Sequence, residues 1–166
     1  MGESVLFIAD TNIWIDLAVR PQWIPRVFQC GFDLAVPDFV AAELSTLDCA
    51  EWQQYGLTIY SLTPAQVTDL HRVAVDHRRL SIADLAAFIL ARDEQAGLLT
   101  GDGPLRRFVQ QQNITVHGVL WLLDQIEHQA LLGHSDLAQW LAAMKNQGAR
   151  LPVEECEQRM VRWAHP

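Results

Sequence analysis

Residues 7–16 read FIADTNIWID, and how that stretch is divided decides the fold. Val5 through Ala9 form an unbroken apolar run, the pattern of a strand buried on both faces. Asp10, Thr11 and Asn12 interrupt it, and apolar residues resume at Ile13, Trp14 and Ile15. A buried strand that ends in a carboxylate, a hydroxyl and an amide has two readings. The trio either caps a helix or stands at the mouth of a site.

The rest of the chain repeats the pattern of strand followed by helix. Further strands are expected near 32–36 (FDLAV), 57–62 (LTIYSL), 97–100 (GLLT) and 114–117. LTPAQV marks a helix start: Thr63 is the N-cap, Pro64 lies in the first turn and Gln66 closes a capping box, with Leu62 and Val67 at the staple positions. LSIADLAAFILARDEQAG predicts a helix over about 82–96, ended by Gly97. This alternation predicts an α/β fold, a mainly parallel sheet flanked by helices. After about residue 133 the strands stop, and SDLAQWLAAMKNQG and PVEECEQRMVRWA predict two amphipathic helices. Residues 1–132 thus read as the α/β portion and 133–166 as a helical C-terminal extension of the same domain. The stripe of Leu137, Trp140, Leu141 and Met144 suits packing on the α/β body, or on a second copy in a homodimer.

Composition narrows the classes. With 166 residues, half of them apolar and 19% charged, the chain suits one globular domain with its own core. No apolar stretch is long enough to span a bilayer, and Glu3 interrupts any signal-peptide pattern, so a cytoplasmic protein with no membrane association is expected. Cys30, Cys49 and Cys156 show no C-x-x-C spacing, which argues against a disulfide framework or a zinc knuckle. The net charge of −8 argues against broad electrostatic attraction to nucleic acid. It leaves room for a local basic rim around a cation site.

The acids then fall into place. In an open α/β sheet, ligands bind outside the carboxyl ends of the strands. Asp10 ends the first strand and Asp102 follows the fourth, in LLTGDGPLRRF. Asp84 lies in the first turn of its helix, and Glu43 lies in VPDFVAAELS just after the second strand. Each has a structural alternative: Asp10 and Asp102 as caps or turn residues, Asp84 as partner of Ser81 in a capping box, Glu43 as a solvated glutamate. Together they imply a cost, because two carboxylates about 5 Å apart repel by about 3 kcal/mol at an effective dielectric near 20. A hard divalent cation, Mg²⁺ or Mn²⁺, resolves that conflict and suits phosphodiester hydrolysis.

The stretches IADTNIWID, VPDFVAAEL, LSIADLAAFILA and LLTGDGPLRRFVQQQNITVHGVLWLLDQI, in this order, resemble the PIN-domain nucleases, and in particular the VapC-type ribonuclease toxins of toxin–antitoxin pairs. The resemblance implies a PIN-like, Rossmann-like fold and an Mg²⁺- or Mn²⁺-dependent endoribonuclease that leaves a 5′-phosphate and a 3′-hydroxyl. It implies an acidic quartet of Asp10, Glu43, Asp84 and Asp102. Asp10, Asp84 and Asp102 would hold the metal, and Glu43 would complete the site or orient the attacking water. Thr11, Asn12 and Thr100 would position carboxylates and waters. Arg106 and Arg107 are the first candidates for RNA contacts, ahead of Arg78 and Arg79, which read as a solvated helix face. An antitoxin protein is the partner the resemblance implies. The tail after residue 133 is longer than in compact toxins and resembles that of uncharacterised PIN proteins with GARLP-like ends.

Rival enzymes fit less well. A haloacid-dehalogenase-type phosphatase wants a second Asp where Asn12 stands, and a response-regulator receiver wants a late lysine near the sheet, whereas Lys145, the one lysine, lies beyond it. The alternative from another class is a PIN-like binding module for nucleic acid or protein with little or no cleavage.

Overall fold

The computed structural model describes residues 2–47 and 49–164. The five expected strands form one sheet: β1 (Leu6–Ala9), β2 (Asp33–Pro37), β3 (Thr58–Tyr60), β4 (Gly97–Leu99) and β5 (Val116–His117). Every pairing is parallel and the order is β3-β2-β1-β4-β5. The third strand is shorter than its apolar run because the chain turns at residues 61–63 into the Thr63 cap. That capping box forms as its spacing predicts, with Gln66 N–H donating to Thr63 Oγ1 and Thr63 N–H to Gln66 Oε1.

Alternation along the strands feeds two cores. Phe7, Ala9, Leu34, Val36 and Leu99 face one side. That side is covered by α1 (Thr11–Leu17), α2 (Ile24–Val27), α4 (Cys49–Tyr55), α8 (Val119–His128) and the C-terminal pair α9 (His134–Asn146) and α10 (Val153–Ala164). Ile8, Ala35 and Leu98 face the other side, under α5 (Pro64–Asp76), α6 (Ile82–Asp93) and α7 (Gly103–Gln111). The short α3 (Asp38–Glu43) sends Val40 into the first core and packs Phe39 against the second. A β1 buried on both faces is the doubly covered strand its apolar run predicts.

Two expectations need correction. The helix expected over 82–96 ends at Asp93; the chain turns through Gln95, at φ +53°, and Gly97 already belongs to β4. Gly97 is required by packing, not as a helix stop. A Cβ there would lie 2.5 Å from Phe7 Cε1, and that ring is wedged among Phe32, Trp121 and His117. Arg78 and Arg79 sit in the turn after α5, whose last residue is Asp76, and not on a helix face. Of the two packings open to the apolar stripe of α9, the structure shows the one on the chain's own body, with Trp140 Nε1 donating to the Leu17 carbonyl at 3.1 Å.

The last helix is held down by charge as well as by burial. Arg159 forks onto Asp124 of α8 at 2.8 and 2.5 Å, and Arg162 reaches Glu127 at 2.6 Å. Among the described residues no helix is long and apolar enough to cross a membrane.

Candidate active site

The strand order sets the location. The chain winds outward in both directions from the adjacent pair β1 and β4, so the crevice at their carboxyl ends is a topological switch point. The Asp10 N–H donates to the Leu99 carbonyl at 3.0 Å, which fixes the two strand ends side by side.

Asp10 is only 2% exposed and Thr100, beyond β4, is fully buried. Asp10 Oδ1 accepts from the Ile13 N–H at 3.1 Å, so Asp10 is indeed the N-cap of α1. Its other oxygen accepts from the Thr100 hydroxyl. Thr100 Oγ1 in turn accepts from the Asp102 N–H at 3.0 Å, and Asp102 Oδ2 caps α7 by accepting from the Leu105 N–H at 2.9 Å. Asp84 and Ser81 exchange both bonds of a capping box at 3.0 Å. Glu43, exposed at the end of α3, accepts from the Thr11 hydroxyl at 2.5 Å. The structural alternatives are therefore true for all three aspartates, and they do not compete with a site. Capping points each carboxylate across a helix N-terminus at the same edge of the sheet.

The neighbouring acids bear on Asp10 and Asp84. Burial pushes Asp10 up to about 7; the Thr100 and Ile13 bonds pull it back, and the charges of Asp84 and Asp102 raise it again. Asp84 is raised by burial, lowered by its bonds to Ser81, and raised again by Asp102 and Glu43. Among the described residues none of the four is ion-paired with an arginine or lysine. An all-oxygen set of mutually repelling carboxylates fits a hard divalent cation. Among the described residues no three or more His, Cys, Asp or Glu side chains are grouped closely enough to hold a metal ion by themselves.

The arginines divide. Arg106 Nη2 donates to the Thr100 carbonyl at 3.1 Å and lies against Gly118, where a Cβ would come within 3.0 Å of it. Arg107 is exposed and folds back over Gly103, at the start of α7. Asn12 is exposed and lines a cleft of about 420 Å³ with Gly101, Asp102 and Pro104.

Three side chains beside the acids were not singled out from the sequence. Asp16 lines the same cleft, and burial pushes it up to about 6. It stands four residues after Asn12, so i, i+4 spacing places the two on one face of α1 and could have found it. Arg150, between α9 and α10, also lines this cleft, but only the return of the C-terminal helices brings it there. His117 stacks flat on Trp121 at 4.1 Å and is held below the usual histidine range by burial and by the Arg106 charge.

The chain is thus a parallel α/β protein with an acid set at the switch point of its sheet. The comparisons are more specific. The model of the PIN-domain family matches residues 6–165, and the chain belongs to that family. PIN domains are generally nucleases that use divalent metals. The fold is similar to that of a PilT N-terminus domain protein from the hyperthermophilic archaeon Sulfolobus solfataricus (TM-score 0.51, 9% identity, 74% of this chain and 93% of that one). It is also similar to that of a protein from Pyrobaculum aerophilum (TM-score 0.53, 18% identity, 75% of this chain and 90% of that one). No curated protein matches the chain at a significant level.

Proposed function

We propose that the chain is a metal-dependent endoribonuclease that hydrolyses RNA phosphodiester bonds through Asp10, Glu43, Asp84 and Asp102. The observation that carries this reading is the set of four carboxylates from four segments, of which Asp84, Asp102 and Glu43 raise the charge cost of Asp10 or Asp84, with no cationic side chain paired to any of them among the described residues. A bound Mg²⁺ or Mn²⁺ would polarise the phosphate and make a bound water more acidic. The chain's own groups do the rest. Asp10, Asp84 and Asp102 hold the cation, directly or through water, on caps that fix their orientation. Glu43, steadied by Thr11, orients the attacking water from the exposed side. Thr100 sets the spacing of Asp10 and Asp102, and Asn12 supplies a polar contact at the rim.

The test is hydrolysis of single-stranded RNA with product-end analysis. Cleavage in Mg²⁺ or Mn²⁺ leaving 5′-phosphates, abolished by EDTA and by Asp10→Asn, is expected. RNA bound but never cut in either ion would favour the binding-module reading.

The family resemblance extends the proposal to a toxin held by an antitoxin, which would plug the site with an arginine against the carboxylates. A short reading frame beside this one, whose product co-purifies as a tight complex, is the expected finding.

A further inference from the structure

A larger cleft, of about 680 Å³, adjoins the acid cluster, and Asp16, Gly101 and Arg150 line both it and the cleft that holds Asn12 and Asp102. Its walls come from α1, the loop after β4, the start of α8 and the segment joining α9 to α10. The size is that of a small-molecule pocket, and its lining mixes apolar side chains with charged ones, Asp16, Asp124 and Glu155 against Arg106, Arg150 and Arg159.

The charges in it are not alike. Arg159 is neutralised by Asp124 at 2.5 Å and faces Glu155 at 3.7 Å. Arg106 and Arg150 line the cleft and, among the described residues, make no ion pair. Arg106 gives one donor to the Thr100 carbonyl and keeps the others of its guanidinium. In a chain of net charge −8, two unpaired arginines beside a carboxylate cluster are where a polyanion can be held. Ile13, Leu120, Leu151 and Pro152 give the same cleft an apolar part, and the His117–Trp121 stack belongs to its lining. An apolar slot next to unpaired arginines matches a base attached to its phosphate.

We propose that this cleft is a nucleotide subsite for single-stranded RNA. It takes the base of a residue flanking the scissile phosphate, while Arg150 and Arg106 hold the phosphate between them. The inference rests on the ribonuclease reading and adds a role for the segment joining α9 and α10, which brings Arg150 to the site.

Two measurements on the full chain test it. In steady-state cleavage of a short single-stranded RNA, Arg150→Ala should raise KM about fivefold or more with kcat little changed, since it removes binding and not chemistry. Arg150→Lys, which keeps the charge, should recover part of the loss. In EDTA, pentaribonucleotides carrying one 4-thiouridine should photocrosslink to peptides containing residues 117–121 or 150–155. An unchanged KM in Arg150→Ala, or crosslinks confined to other segments, overturns the subsite and leaves the nuclease standing. The cleft would then be free for a protein segment. A wild-type chain that neither cleaves nor crosslinks RNA overturns both.

Discussion

Thr100 Oγ1 donates to Asp10 and accepts from the Asp102 N–H at 3.0 Å, so one buried hydroxyl ties the ends of β1 and β4 together. Thr100→Val keeps the shape and leaves both partners short of a bond, which should cost about 2 kcal/mol in urea unfolding. Thr100→Ser should cost much less. Asp10 carries its own signature. Its folded-state value, raised from 3.8 to about 7, means that the folded chain binds the proton more tightly than the unfolded one. Between those values the folded state holds more protons, so in EDTA its stability should fall as pH rises from about 4 to about 7, and the Asp10 contribution should level off above that. Asp10→Asn keeps the Ile13 cap and removes the titration, so it should flatten the slope and melt higher than wild type at neutral pH without metal. A pH profile unchanged by the substitution would contradict the burial of that charge. Asp10 and Asp102 are legible in the sequence because each follows a strand, whereas Asp84 and Glu43 lie on α6 and α3 and join the set through the family resemblance. That each aspartate both caps a helix and faces the same edge is not legible there, because it depends on where the three helix starts lie in the fold.

Helix α6 positions Asp84 through the Ser81 capping box, which the order S-x-x-D already suggested. Ser81→Ala should destabilise the chain by about 1 kcal/mol in thermal or urea melts, and Ser81→Thr should be close to neutral. The other end of α6 departs from the expected glycine stop. A glycine after an amphipathic run signals a C-cap, but here Gln95 makes the left-handed turn and Gly97 serves the sheet. Gly97→Ala would drive a methyl into the Phe7 ring, which Phe32, Trp121 and His117 prevent from moving. The expected loss is about 1–3 kcal/mol, as for other overpacked cores. The reason lies in a neighbour 90 residues away, which local spacing cannot show.

Across the whole molecule, the parallel sheet and its switch point followed from the alternation of strands and helices, and with them the edge where the acids meet. Which face the C-terminal stripe would cover did not follow, because an amphipathic helix states only that it needs a partner. The structure gives it the α1 side, and the Arg159–Asp124 fork pins α10 to α8. Arg159→Ala should lower stability by about 1–2 kcal/mol, as the pair is only partly exposed. The central claim is that the acid cluster is built for a divalent cation. It is met most directly by thermal melting of the metal-free chain, with and without millimolar Mn²⁺, at a pH above the Asp10 value. An ion that binds only the folded state stabilises it by about 2.7 kcal/mol at one hundred times its Kd. Wild type should therefore melt higher in Mn²⁺, and Asp10→Asn and Asp102→Asn should lose that rise. A wild-type melting curve unmoved by Mn²⁺ would contradict the claim.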